Sequence, residues 1–191
     1  MPNYKRFYND NYRYVFFTIV TNNRQSILIE NIDILRSSFK YVLTKYQFEI
    51  YAISILKNHI HMILKLENNN EYSEIIRLLK YYFSTHITIE QSRVGKAEVN
   101  YIACPPNISK SKVKKREKGI WQRRYWEHTI RNENDLNIHL DYIHFNPYKH
   151  YKIKPQDWQY SSFNKFVKLG LYNKDWCNFN DENKINELDF E

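Results

Sequence analysis

Glycine is scarce in this chain, with 3 in 191 residues. That scarcity argues against any glycine-rich loop cradling phosphates, and neither GxxxxGK[ST] nor GxGxxG occurs. Cysteine is equally sparse. Cys104 and Cys177 stand far apart with no CxxC spacing, which leaves no disulfide framework and no thiolate zinc site. No apolar run approaches the length of a membrane span, and the opening Met1-Pro2-Asn3-Tyr4-Lys5-Arg6 lacks the apolar core of a signal peptide. The expectation is a soluble cytoplasmic protein, associated with the nucleoid if its partner is DNA. Acidic residues are in deficit, 21 against 29 Lys and Arg, for a net charge of +8.

What is abundant is aromatic: 17% of residues, with 17 Tyr and 11 Phe. Hydrophobic residues at 42% suffice for a packed core. A basic, aromatic-rich domain suits a polyanion whose bases stack on rings, although a basic surface also serves simple solubility. One domain is expected over 1–176, with a basic loop near 105–119 and an acidic, frayed tail at 177–191.

Tyr12 to Thr21 is apolar on both faces and reads as a central strand. Ile32, Leu35, Phe39, Val42, Leu43 and Tyr46 follow helical spacing. Phe48 to Ile55 reads as a second strand, joined by a tight turn at Lys57-Asn58 to the stretch His59-Ile60-His61-Met62-Ile63-Leu64-Lys65-Leu66. Asn68-Asn69-Asn70 forms a polar turn, and Tyr72 to about Ile89 reads as a helix with Arg77, Lys80, Tyr81 and Ser84 off its core stripe. The order strand, helix, strand, strand, helix opens an α+β fold of ferredoxin-like type, an antiparallel sheet with helices on one face. The histidines would then stand on an open face. Ile120 to Ile130 reads as one more strand. Arg131-Asn132-Glu133-Asn134-Asp135 supplies an N-cap and an acidic first turn for a helix through Asn146 that Pro147 should stop.

The histidine strand carries the chemistry. With period two, His59, His61, Ile63 and Lys65 share one face and Ile60, Met62, Leu64 and Leu66 the other. Two imidazoles at i and i+2 can reach one ion, though a bare His-x-His is short and common. Tyr142 and Asn146, at i and i+4, share a helix face. An amide oxygen there can complete a metal site, and a phenol one turn away can attack a phosphate. Spacing alone does not separate this from a surface tyrosine. No trio of carboxylates stands at positions suited to a two-metal site.

The strings Trp126-Glu127-His128-x-Ile130-Arg131-Asn132, Asp141-Tyr142-Ile143-His144-x-Asn146-Pro147-x-Lys149-His150 and Asp157-Trp158-x-Tyr160-Ser161-Ser162-Phe163, with His59-Ile60-His61, resemble the REP-associated tyrosine transposases. These belong to the HUH single-tyrosine (IS200-like) superfamily. The resemblance implies a Mg2+ or Mn2+ ion held by His59, His61 and Asn146. It implies Tyr142 as the nucleophile, forming a 5′-phosphotyrosine with single-stranded DNA, and hairpins of repetitive extragenic palindromes as substrate.

Transesterification conserves the phosphodiester bond energy and needs no ATP, in keeping with the missing nucleotide loop. Lys80, Lys114, Lys115, Arg123, Arg124 and Arg131 are candidate DNA contacts. The protein would act as a monomer or homodimer. Lys57 stands where similar proteins usually carry proline, and the basic insertion is long for the family. Two other readings remain: a hairpin-binding protein without catalysis, and a zinc hydrolase using His128, His139 or His144 as third ligand.

Overall fold

The computed structural model describes residues 8–9, 12–67, 72–93 and 119–177. Its elements are β1 (Tyr8–Asn9), β2 (Tyr12–Val20), α1 (Ile32–Leu43), β3 (Phe48–Ile55), β4 (His59–Glu67), α2 (Tyr72–Arg93), β5 (Trp126–Thr129), α3 (Glu133–Tyr151) and α4 (Phe163–Lys168). Cys104, the basic loop up to Lys118, the turn at 68–70 and the tail from 178 lie outside the described residues.

All strands are antiparallel, in the order β5–β2–β4–β3, with the short β1 also pairing the outer side of β2. This is the ferredoxin-like α+β arrangement expected from sequence, with the histidine strand central. β3 and β4 form the expected hairpin, closed by Leu56 N–H donating to the His59 carbonyl at 2.9 Å.

Strand alternation divides the sheet into two faces. Val15, Phe17 and Ile19 of β2 join Ile60, Met62, Leu64 and Leu66 of β4 against Ile34, Leu35, Phe39 and Val42 of α1 and Ile75, Ile76, Leu79 and Phe83 of α2. The opposite face gathers Phe16, Ala52 and Ile63 with Leu140, Tyr142, Ile143 and Phe145 of α3 and Phe166 of α4. The histidine face is therefore not open, because α3 lies across it. Strand periodicity fixes which side a residue takes, and a helix lying far along the chain decides whether that side meets water.

Two boundaries differ from expectation. Between 120 and 130, regular strand is confined to Trp126–Thr129. Before it, the chain touches the end of β2 through a single bridge, Thr21 with Trp121. The last long helix does not stop at Pro147 but runs to Tyr151, ending on Lys152 in the left-handed region at φ 56°. Proline costs a helix one N–H donor and crowds the preceding turn. Here Pro147 is buried among packed neighbours, and tertiary contact outweighs that local penalty.

The Trp158–Ser162 motif has a structural use. It runs along the outer side of β3: Ile55 N–H donates to the Tyr160 carbonyl at 2.9 Å, Ser162 N–H to the Ile53 carbonyl at 2.8 Å, and the Trp158 indole to the Ile55 carbonyl at 3.0 Å. Ser162 Oγ accepts from Ile53 N–H at 2.9 Å and donates to the Ile53 carbonyl at 3.1 Å. With that proton committed, His144 Nε2, 2.9 Å away, must be the donor. Burial presses its pKa from 6.5 down to about 3.

Ser162→Ala strands the His144 and Ile53 donors in the interior and should cost about 2 kcal/mol in urea unfolding. His144 also imposes a pH dependence of known sign. The unfolded chain takes up its proton first, so the stability present above pH 6.5 is lost as pH falls toward about 3. In thermal melts, His144→Gln should flatten that decline.

Candidate active site

One row of register partners crosses the histidine face: Trp126 on β5, Thr18 on β2, His61 on β4 and Ser54 on β3. His59 and His61 are buried, their rings 4.8 Å apart between centroids and steeply inclined at 82°. His59 Nδ1–H donates to Asn58 Oδ1 at 2.6 Å. Asn58 is itself oriented by donating Nδ2 to the Arg24 carbonyl at 3.2 Å. His61 Nδ1 is hydrogen-bonded to Thr18 Oγ1 at 2.9 Å. Because an amide oxygen can only accept, His59 must carry its proton on Nδ1, which makes Nε2 its metal-facing nitrogen. The Thr18 hydroxyl can donate or accept, so its bond orients the His61 ring and leaves Nε2 turned away from Thr18.

α3 brings the second set of residues. The Tyr142 ring lies 5.1 Å from that of His61 and 6.1 Å from that of Phe16, and the Lys149 ammonium is 5.3 Å from its centroid. Asn146 is buried, and Nδ2 donates to the Tyr142 carbonyl one turn back at 2.9 Å. That bond fixes the amide, while Oδ1 is buried with no hydrogen-bond partner among the described residues. A buried carbonyl oxygen without a donor costs free energy unless a ligand or ion meets it. Two buried imidazoles oriented by hydrogen bonds and one orphaned oxygen are a donor set that fits a divalent ion of the Mg, Mn or Zn class. His150 closes the side, its ring 5.0 Å from His59.

Another group also gathers ligand atoms: those of His128, Asp135 and His139 lie within 4.8 Å of one another. The ring geometry argues against an ion there. The two imidazoles are stacked, 4.7 Å apart and inclined by only 7°. A ring nitrogen's lone pair lies in the ring plane, and one ion cannot occupy two parallel planes. The trio is instead a hydrogen-bonded clamp. His128 Nε2 donates to Asp135 Oδ2 at 2.8 Å, and Arg131 N–H donates to the same oxygen at 2.9 Å. His139 Nδ1–H donates to the Asp135 main-chain carbonyl at 2.7 Å. Burial opposes the charge on Asp135, but the His128 and Arg131 bonds outweigh it and hold the carboxyl below its usual range. Burial likewise keeps His139 neutral, its pKa lowered despite the nearby carboxylate.

The zinc-hydrolase reading needed one of His128, His139 or His144 as third ligand. The first two are tied to Asp135, and the third to Ser162.

Of the candidate DNA contacts, Arg123, Arg124 and Arg131 are exposed on the segment that carries β5. Lys80 sits on α2, behind the sheet, donating to the Gln122 carbonyl at 3.0 Å with its ammonium 5.2 Å from the Tyr125 ring. Lys114 and Lys115 lie outside the described residues. Lys57 replaces the usual proline with a consequence: its backbone N–H, which proline lacks, donates to Tyr151 Oη at 3.0 Å. Thr18, Asn58 and Phe16 emerge only from the structure. Thr18 did carry a signal, as the one small polar side chain on a strand face otherwise filled by Tyr14, Phe16 and Val20.

Comparisons agree with this geometry. Residues 7–101 match the family model for IS200-like transposases, a span that holds the histidine pair and stops short of Tyr142. A Haemophilus influenzae protein assigned to the REP-associated tyrosine transposases is 41% identical over 179 residues, covering 92% of this chain and 93% of that one. The REP-associated tyrosine transposase of Escherichia coli K12 is 34% identical over 179 residues, covering 93% and 92%. A solved REP-associated tyrosine transposase bound to a REP hairpin superposes with a TM-score of 0.68 at 31% identity, covering 93% of this chain and 92% of that one.

Asp135→Ala removes the acceptor shared by His128 and Arg131 and should cost about 2 kcal/mol in urea unfolding. It should leave Mn2+ affinity, measured by calorimetry, unchanged. Loss of the ion with Asp135 would make the trio the metal site.

Proposed function

The chain belongs to the family of REP-associated tyrosine transposases, and on that premise we propose that it cuts and rejoins single-stranded DNA beside a hairpin, with Tyr142 as nucleophile. The observation that carries this reading is the packing of Tyr142 from α3 against His61 of β4, some eighty residues earlier, with His59 beside His61 and the unpartnered Asn146 Oδ1 one helical turn from Tyr142. The hairpin bound by the solved relative is the model for the substrate here, and Arg123, Arg124 and Arg131 are proposed to contact its phosphates. Such a substrate would place the protein in the cytoplasm with the nucleoid.

In this reading His59, His61 and Asn146 hold a Mg2+ or Mn2+ ion, through imidazole Nε2 atoms and the amide oxygen. When bound, the ion polarises the scissile phosphate and screens the charge that develops on its oxygens. Everything else falls to the chain. Asn58 fixes the His59 tautomer from behind, and Thr18 orients the His61 ring. The Tyr142 phenol oxygen attacks phosphorus, the bond from phosphorus to the 3′-oxygen breaks, and that oxygen takes a proton to become a 3′-OH. The Lys149 ammonium, 5.3 Å from the centre of the Tyr142 ring, puts a positive charge beside the nucleophile. Reversal with a new 3′-OH joins a different strand without any nucleotide cofactor.

The test mixes the protein with labelled hairpin DNA and Mn2+ on a denaturing gel. A metal-dependent covalent band should form and vanish in Tyr142→Phe, which keeps hairpin binding. Cleavage by Tyr142→Phe at the normal rate would overturn the nucleophile. Binding without any covalent band, across several hairpins, would favour a non-catalytic DNA-binding protein.

His61→Ala should abolish cleavage and, because the ring is buried against Phe16 and Tyr142, lower the melting temperature while the variant stays folded at the assay temperature, as circular dichroism checks. Thr18→Val, which keeps the shape and removes the hydroxyl, should lower metal-limited cleavage about tenfold and recover at excess Mn2+.

A further inference from the structure

Trp126 is an exposed aromatic at the margin of the catalytic face. It is 37% exposed, yet it is not loosely held. Its ring stacks on His128 at 5.9 Å and 19°, and His128 stacks in turn on buried His139 at 4.7 Å and 7°. The edge of the indole meets Phe16 at 5.5 Å, and Phe16 also contacts His61 and Tyr142. The Asp135 clamp holds His128 in place through a 2.8 Å bond. A three-ring stack thus runs outward from the core and ends in an indole at the surface, one register position from Thr18.

We propose that Trp126 is the stacking platform for an unpaired base in the DNA strand that flanks the hairpin. This rests on the DNA-cleaving reading above and adds to it where the single strand lies. A base laid on the indole continues a stack that is already ordered, so little side-chain freedom is lost on binding. The charge around it suits a nucleic acid. Arg123 and Arg124 are exposed just before Trp126, and Arg131 just after β5. The one nearby acid on the strand, Glu127, alternates to the opposite face, where it is the register partner of Phe17. The row from Trp126 through Thr18 to His61 sets the base beside the scissile phosphate. The flanking strand is thereby held in register with Tyr142.

The experiment measures binding of fluorescent hairpins to the full chain without added metal, comparing a blunt hairpin with one that carries a few unpaired nucleotides. Trp126→Ala should weaken the flanked hairpin about fivefold or more and the blunt one by less than about twofold. Trp126→Phe should keep most of the flank's contribution. An abasic nucleotide at the stacked position should weaken the parent protein to the level of Trp126→Ala, and the two losses should not add. Equal weakening of both hairpins, no weakening, or additive losses would overturn the platform. If the parent forms its covalent adduct while Trp126→Ala keeps the flank preference, stacking alone falls. If the parent binds neither hairpin, the DNA-cleaving reading falls with it. Melting curves of both variants confirm that the comparison is between folded proteins.

Discussion

The antiparallel register between β2 and β4 is the constraint on which the site depends. It sets Thr18 opposite His61 and Val20 opposite His59. A slip of one residue would turn every side chain of one strand to the other face: a flip of β4 would point the imidazoles into the helical core, and a flip of β2 would bring Phe17 to the site. What prevents the slip is on the back of the sheet. Val15, Phe17 and Ile19 interleave with Ile60, Met62 and Leu64 beneath α1 and α2, all of them buried. The apolar side of the sheet thereby holds the chemical side in alignment, although none of its residues approaches the substrate.

The other face is unusual in what it buries. Thr18, Ser54, His59, His61, His139, His144 and Asn146 are all inaccessible or nearly so. Buried polar groups destabilise a fold unless they are hydrogen-bonded. Two of them lie in short chains that end on the backbone: His59 through Asn58 to Arg24, and His144 through Ser162 to Ile53. Each chain fixes one ring and one tautomer. Asn146 Oδ1 is among the buried atoms without a partner in the described residues, and local rules of satisfaction are expected to yield at a functional site.

Much of this was legible in the sequence, for physical reasons that differ from element to element. β3 has the boundaries read from its composition, because a β-branched run ending at a tight turn leaves few alternatives. The helical offset of Tyr142 and Asn146 follows from geometry alone. Asn132 caps α3 as its side chain suggests, accepting from Asp135 N–H at 2.9 Å. What could not be read depends on contacts distant in sequence. Nothing local to Pro147 reveals that packing carries the helix onward to Tyr151. Nothing local to His59 reveals that a helix more than seventy residues later covers it. The partnerships of Thr18 with His61 and of Ser162 with His144 each join chain segments that only the sheet brings together, so no window along the sequence contains both members.

The segment laid along β3 bears on assembly. The amides and carbonyls of Ile53 and Ile55 that a neighbouring strand would need are already taken by Tyr160, Ser162 and Trp158. The earlier half of the strand is bent by the irregularity between Ile50 and Ala52, which spoils it as a template for pairing. The sheet therefore ends with its own chain on this side. Two copies cannot fuse into one continuous sheet across β3, and the same closure denies a growing cross-β aggregate its starting edge.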